Sequence, residues 1–512
     1  MQNLYSKCLN EDNIKKAIKE VNSHDGSRTS GPDGISFKNC TMPLEVIIKE
    51  VKLRLRRYKR CHSRTVEILK TDGSRRELTI INLFDRYAQQ AVYRVINPIV
   101  ESEMSKHSFG FRLGISAKVP VARIADIILH SKNVWTVEID FTKCFDNIPL
   151  DKALDKLREL GVKDGRLIKT VKHLMYCRNG YSGVGLGQGT ILGPLLANCY
   201  LDKLDRFMER EFELEATGTS ECRQRDYRKH KENWLKWLKS RGRKVYCRYY
   251  RYADDTIILT TIEEEQKFIW DKMIEFIETE MEVSVNLAKS LRRRNKTDFL
   301  GFHIMKSESV WITMKNEKEF RREVRKIPVV DHEGVRKFKR YFVGIMNYYD
   351  ICNNLGNLLS YIDDYLYYQS RKRHSYIYPT DGKENRIFKD RKNNEIIDIW
   401  KIRKDTKDSY KRYITNRSWV TEREFLVDFA NKEDEYYIWK WLLFTKQRGK
   451  DKITGKLLSA GNCQIHHVIP RSKGGSDDPE NLILISKETH EALHYGKDLP
   501  KEFEKYRKHL LR

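Results

Sequence analysis

Seven side chains in this 512-residue sequence have the types and spacing to act on phosphate: the carboxylates Asp140, Asp254 and Asp255, and the imidazoles His466, His467, His490 and His494. Asp254 and Asp255 stand between Tyr249-Tyr250-Arg251-Tyr252 and Thr256-Ile257-Ile258-Leu259, a pattern that reads as strand, tight turn and returning strand. The apolar flanks predict a buried hairpin, and two charges at its tip then need a partner. Hard carboxylate oxygens suit Mg²⁺. The dipeptide alone is equally compatible with a solvent-exposed Asp-Asp turn. Asp140 closes a second strand-like run, Val134 to Ile139, where a lone acid is ordinarily a solvated strand end. Taken together, three carboxylates at strand ends are what a two-metal phosphoryl-transfer site needs. In such a site two Mg²⁺ ions about 4 Å apart stabilise an attacking 3′-hydroxyl and a leaving pyrophosphate.

The imidazoles suggest a second chemistry. His490 and His494 are four apart, so a helix puts them on one face, a turn from each other. With His466 from a preceding strand, three imidazoles can hold one divalent cation (Mg²⁺, Mn²⁺ or Zn²⁺) and leave positions for phosphate and water. His467 points elsewhere and can serve as general base on water. Four of the chain's 14 histidines fall within this short stretch, which is poor company for accidental surface residues.

The elements that must position these groups are partly legible. Residues 1 to about 60 read as basic helices broken by Ser27-Arg28-Thr29-Ser30-Gly31-Pro32-Asp33-Gly34, a turn-forming loop. Between Ile68 and Ile81, Asp72-Gly73 signals a hairpin whose turn is flanked by Lys70 and Arg76. Two cations there can grip a triphosphate or simply make a solvated basic hairpin. Helical periodicity follows over 85–104, then a loop Ser108-Phe109-Gly110-Phe111-Arg112, the strand ending at Asp140, and a helix from Asp151. Residues 183–201 join a Gly-rich loop, where backbone can approach a ligand, to an apolar helix. The charged segment 206–247 reads as an insertion before the central hairpin. A helix over 263–281 and one short strand, Phe299 to Ile304, complete this part. Basic, aromatic-rich helices occupy 315–385, and 386–450 is basic without clear periodicity.

Composition restricts the partners. Net charge is +26, from 98 Lys and Arg against 72 Asp and Glu, which favours a polyanion bound in a salt-dependent way. Nucleic acid fits better than a membrane surface: no apolar run is long enough to span a bilayer, and the N-terminus lacks the apolar core of a signal peptide. The expected setting is cytoplasmic, with no membrane partner. The ten Cys are scattered without a CxxC, as expected of reduced thiols.

The order of these segments resembles reverse transcriptases, specifically group II intron-encoded proteins. Seven blocks carry the resemblance across residues 27–305: SGPDGIS, KTDGSRREL, DRYAQQAVYRVINPIVES with HSFGFRLGIS, VEIDFTKCFDNI, GLGQGTILGPLLANCYLDKLD, RYADD, and NLAKS with FLGF. It implies an α+β multidomain chain with right-hand polymerase architecture. An N-terminal extension would cover 1–30, reverse transcriptase fingers and palm 31–310, a helical thumb serving as maturase domain 311–385, and a DNA-binding region 386–450. By the same resemblance Asp140 and Asp254 ligate Mg²⁺ with Asp255 beside them. Phe145 excludes a ribose 2′-hydroxyl, so dNTPs are preferred, and Lys70 and Arg76 contact the triphosphate. Gln188 and Gly189 touch the incoming nucleotide or template, and Lys289 protonates pyrophosphate. Thr190-Ile191-Leu192-Gly193-Pro194 and Glu77 depart from the common pattern.

Residues 460–495 resemble the ββα-metal motif of HNH nucleases, within a domain of 451–512. The match assigns metal binding to His466, His490 and His494, the base to His467, and bracing of the His467 loop to Asn481. The Cys pairs of many relatives are missing, and Gln464 stands where an acid is frequent. The expected protein is a mobile-intron enzyme of a prokaryotic or organellar setting. It would bind group II intron RNA as a ribonucleoprotein, assist splicing, nick a double-stranded DNA target and copy RNA into DNA from the nick. A host-adopted reverse transcriptase with an accessory nuclease, as in phage defence, and an RNA-binding splicing factor are the alternatives.

Overall fold

The computed structural model describes residues 3–56, 62–69, 75–112, 115–176, 182–214, 220–306, 310–372, 375–379, 387–392, 396–398, 443–444, 447, 450–456, 458, 462–473, 475, 481–495, 503 and 506. Lys70 lies outside the described residues, as does nearly all of 386–450.

The N-terminal part is helical. In α1 (Leu4–Leu9), α2 (Glu11–Ser23) and α3 (Leu44–Arg56), apolar residues recur every three to four positions, as Ile14, Ala17, Ile18 and Val21 do in α2. Those stripes pack onto the long α4 (Leu83–Glu103). Between them, β1 (Ser63–Leu69) and β2 (Arg75–Ile81) form an antiparallel hairpin. Arg76 is exposed on β2.

The centre is a four-stranded antiparallel sheet in the order β4-β5-β3-β6, built from β3 (Trp135–Ile139), β4 (Arg248–Tyr252), β5 (Asp255–Thr260) and β6 (Leu291–Arg294). Both of its faces are covered. Tyr249, Ile258, Val137 and Ile139 join a core with α7 (Leu150–Glu159), α8 (Gly165–Met175), α9 (Gly193–Glu211) and α12 (Glu263–Glu280). Tyr250, Ile257 and Leu259 face a second core with α5 (Lys118–His130). Two buried faces explain why the central β5 reads as a continuous apolar run, Ile257-Ile258-Leu259, while β6 at the sheet edge, Leu291-Arg292-Arg293-Arg294, is largely exposed. A short α6 (Cys144–Asn147) follows β3. Before β4 come α10 (Ser220–His230) and α11 (Trp234–Ser240). The helix α9 runs on to Glu211, so the charged insertion begins later than the composition suggested.

One expectation needs correcting. Residues 299–304 are not one strand: β7 (Lys296–Phe299) turns back into β8 (Phe302–Lys306), and β9 (Val310–Met314) adds a third strand. Leu300 and Gly301 make the turn with φ of 51° and 80°, the left-handed geometry of a two-residue hairpin loop. Beyond it, α13 (Glu317–Lys326), α14 (His332–Tyr348) and α15 (Leu355–Ser370) surround their own core of Phe320, Phe338, Phe342, Leu358 and Ile362. The same core takes in a small sheet of β10 (Ile377–Pro379), β11 (Ile387–Asp390) and β12 (Ile396–Asp398). The C-terminal unit is an antiparallel pair, β13 (Cys463–His467) and β14 (Leu482–Ser486), followed by α16 (Lys487–Tyr495).

Candidate active sites

Sheet register brings the three carboxylates to one end. Ile139 of β3 pairs with Thr256 of β5, so the next residue, Asp140, reaches the level of Asp255. Tyr252 pairs with Asp255, leaving Ala253 and Asp254 as a two-residue tip. Asp140 and Asp254 are half-buried and Asp255 is exposed. The Asp255 carboxyl is pushed up to about 7 by loss of solvent and by the charges of Asp254 and Asp140, against a smaller opposing pull from Lys315. Because Asp255 is exposed beside the tip, mutual repulsion is the cause that carries weight here. Nearby, the buried Cys144 thiol is raised by burial and by Asp254, Asp146 and Asp140. Three hard oxygen donors held against their own repulsion fit divalent cations.

The tip is fixed from beneath by residues that the motifs did not single out. Arg251 is fully buried and forks onto Asp205, with Nε to Oδ1 at 2.8 Å and Nη2 to Oδ2 at 2.5 Å. Its Nη1 donates to Asn198 Oδ1 (3.0 Å) and to the Ala253 carbonyl (2.9 Å), and Nη2 donates to Ser108 Oγ (2.8 Å). Ala253 has φ of 58°, a left-handed conformation that an L-residue holds at some cost. Arg251 thus grips the carbonyl immediately before Asp254. Gly110 packs so closely that a Cβ there would lie 2.2 Å from Ala253 N. Part of the signal was in the sequence: Arg251, between Tyr249-Tyr250 and Tyr252 in a strand-like run, is a charge that must find a partner.

The remaining predicted residues gather around this end. The Asp140 amide donates to Ser290 Oγ (3.0 Å), and its carbonyl accepts from Asn286 N (2.8 Å). The turn carrying Lys289 therefore lies behind Asp140, with Lys289 exposed. Phe145, on α6, meets Phe111 edge-on at 5.9 Å. Its carbonyl accepts from Leu186 N (2.8 Å), which ties the Gly-rich loop to α6. Gln188 and Gly189 contact the β1–β2 hairpin: Thr79 N donates to the Gln188 carbonyl at 2.7 Å. Gly189 has φ of +102°, and a Cβ there would meet Thr79 O at 2.7 Å. The loop is held from α4 by Gln89, whose Oε1 accepts from Ile191 N at 2.9 Å.

In the C-terminal unit, His466 on β13 faces His490 and His494 on α16, with ring centroids 5.3 and 5.6 Å away. Their ligand atoms all lie within 4.8 Å of one another. His466 Nε2 is buried without a hydrogen-bond partner among the described residues, the state expected of a donor made for a cation. Burial, then His490, His494 and His467, depress the His466 imidazole to about 4, so it is neutral and able to ligate at pH 7. Burial and His494 also lower His490. The donor set fits one divalent cation. His467 is next on the strand, so its side chain leaves by the opposite face. Asn481 clamps Ile469, two residues on, by accepting from its N–H (2.8 Å) and donating to its carbonyl (2.9 Å). A Cβ on Gly475 would meet that same carbonyl at 1.8 Å.

Two protein families match these two regions. Residues 68–304 match reverse transcriptase (RNA-dependent DNA polymerase), and residues 450–496 match HNH endonuclease. The chain carries a reverse transcriptase domain and an HNH endonuclease domain. Among curated relatives, the uncharacterized 91 kDa protein in cob intron of Schizosaccharomyces pombe is 30% identical over 60% of this chain and 42% of its own length. The group II intron-encoded protein LtrA of Lactococcus lactis subsp. cremoris is 27% identical over 59% of this chain and 56% of its own. The chain therefore spans roughly half the length of these relatives, or less. A solved apo telomerase from Candida tropicalis aligns at 13% identity and a TM-score of 0.37, covering 60% of this chain and 55% of that one. No helix among the described residues is long and apolar enough to cross a membrane.

Proposed function

We propose that the chain is a group II intron-encoded enzyme that copies RNA into DNA at a DNA nick made by its own HNH domain. The observation that carries this reading is the convergence of Asp140, Asp254 and Asp255 at one sheet end, in a reverse transcriptase domain followed by an HNH domain. Intron proteins among the relatives support the same assignment.

In this reading Asp140 and Asp254, with Asp255, hold two Mg²⁺ ions. When bound, these supply Lewis acidity to the primer 3′-hydroxyl and charge neutralisation to the leaving pyrophosphate. Arg76 of the β1–β2 hairpin, together with Lys70, grips the dNTP triphosphate; Gln188 and Gly189 line the nucleotide and template, and Lys289 gives a proton to pyrophosphate. Phe145 fills the space a ribose 2′-hydroxyl would take. Residues 311–385 act as thumb and maturase surface for intron RNA, assisting splicing, and 386–450 contact the DNA target. In the HNH domain His467 draws a proton from water for attack on a DNA phosphodiester, while His466, His490 and His494 hold a divalent cation (Mg²⁺, Mn²⁺ or Zn²⁺). When bound, the cation would supply Lewis acidity to the scissile phosphate and charge neutralisation to the leaving oxygen.

Asp254→Asn tests the polymerase assignment. Primer extension on an RNA template should fall by on the order of 10³-fold or more, as when a metal ligand is lost, while RNA affinity stays within twofold. Extension at wild-type rate would overturn the metal assignment.

A further inference from the structure

The insertion between α9 and β4 is not used by either reaction. Residues 220–244 hold ten Lys and Arg against three acidic residues. Lys229, Lys231, Lys236, Lys239, Arg241 and Arg243 are exposed, and none forms an ion pair among the described residues. By itself a charge run is an ordinary solvated face. Here it surrounds a stack of rings. Trp234 and Trp237 lie 5.1 Å apart at 15°, and His230 covers Trp237 at 5.0 Å and 14°. The stack runs from the buried Trp234 through the half-buried Trp237 to the exposed His230. Arg241 and Arg243 approach the Trp237 ring at 5.7 and 6.0 Å.

The ladder is also rigidly mounted. Trp234 Nε1 donates to Glu265 Oε1 at 3.0 Å, and Arg223 Nη2 holds the same oxygen at 2.6 Å. Thr260, the last residue of β5, donates its hydroxyl to the other Glu265 oxygen. The stack is thus bolted to the strand that begins at Asp255. A solvated charge run has no need of a pre-ordered column of parallel rings ending in solvent. A strand with free base faces does, because bases stack on exposed rings while its phosphates meet the cations.

We propose that α10 and α11 form a docking surface for unpaired RNA. Its bases extend the His230–Trp237–Trp234 stack, and its phosphates lie on the surrounding Lys and Arg. Duplex is disfavoured because its bases offer no free face except at the ends. RNA is chosen over DNA because the proposal rests on the reading of this chain as an intron-RNA enzyme, and loops and bulges of folded RNA display splayed bases.

The test uses the full chain with the polymerase cleft filled by unlabelled template–primer. Binding is then measured for labelled single-stranded RNA, blunt RNA duplex and single-stranded DNA of the same sequence. The exposed triple variant Lys236→Gln/Arg241→Gln/Arg243→Gln should bind the single-stranded RNA about tenfold more weakly, with the log–log salt slope reduced by about 2. His230→Ala should lose several-fold, and His230→Phe should restore it. Primer extension on pre-annealed template checks that each variant is folded. Unchanged RNA affinity, or an equal loss for blunt duplex, would overturn the surface. An equal loss for single-stranded DNA would overturn the assignment to RNA. If the wild-type chain fails to extend primers while the variants still show these losses, the polymerase reading falls and this surface stands.

Discussion

Arg251 is the residue on which the polymerase tip depends. A buried guanidinium and carboxylate contribute little net stability as a pair, but removing one partner leaves the other charged and unsolvated. Arg251→Ala strands Asp205 and frees the Ala253 carbonyl, so unfolding free energy should drop by about 3–5 kcal/mol. Arg251→Lys keeps a charge but cannot make the same fork, and should lie between. Pairing Arg251→Met with Asp205→Asn should recover part of the loss, because no lone buried charge remains. Denaturant titration reads all three, and a drop below about 1 kcal/mol for Arg251→Ala would contradict this account of the tip. Residues differed in how legible they were. Asp140 and Asp254 are bland when read alone and become legible through the ordered blocks around them, whereas His466, His467, His490 and His494 stand out by their clustering and by the helical spacing of the last two. The partners of Arg251 did not, since Ser108 and Asp205 reach it only through the fold.

At the scale of elements, the active end is a sheet terminus clamped by loops. The loop between α4 and α5 is fixed to β4 through His107, whose Nδ1 lies 3.2 Å from the Tyr249 carbonyl. Burial, then Lys106, depress this imidazole to about 4, against smaller opposing effects of Glu209 and Asp205. The native protein therefore binds fewer protons than the unfolded chain between about pH 4 and 6.5. The stability His107 confers is complete above the unfolded pKa of about 6.5 and is lost as pH falls toward 4. Lowering pH from 7 to 5 should cost wild type roughly 1–2 kcal/mol more than His107→Gln. Parallel urea titrations at the two pH values measure it, and identical slopes would refute it. Elements with strong periodicity, such as α4 and α12, were legible within a few residues. The β7–β8 hairpin was not. Its turn is Leu-Gly rather than Asn-Gly, and the apolar run crosses it without interruption. Nor was the small sheet of β10, β11 and β12 legible, whose strands are only three or four residues long and straddle the aromatic helices of 315–385 and the aperiodic stretch after them.

At the scale of the molecule, the proposed function puts two phosphate chemistries on separate scaffolds. One is a carboxylate site on an antiparallel sheet, the other an imidazole site on a ββα unit. Hard oxygen donors and neutral nitrogen donors select cations differently, and the two sites share no residue. In the proposed function one site makes the DNA end that the other extends. Supplying a DNA target, the copurified RNA and dNTPs to wild type, Asp254→Asn and His467→Ala tests this most directly, with nicked and extended DNA scored separately. Asp254→Asn should nick without extending, and His467→Ala should extend a pre-nicked target but leave intact DNA uncut. A single variant that abolished both nicking and extension of pre-nicked DNA would contradict it.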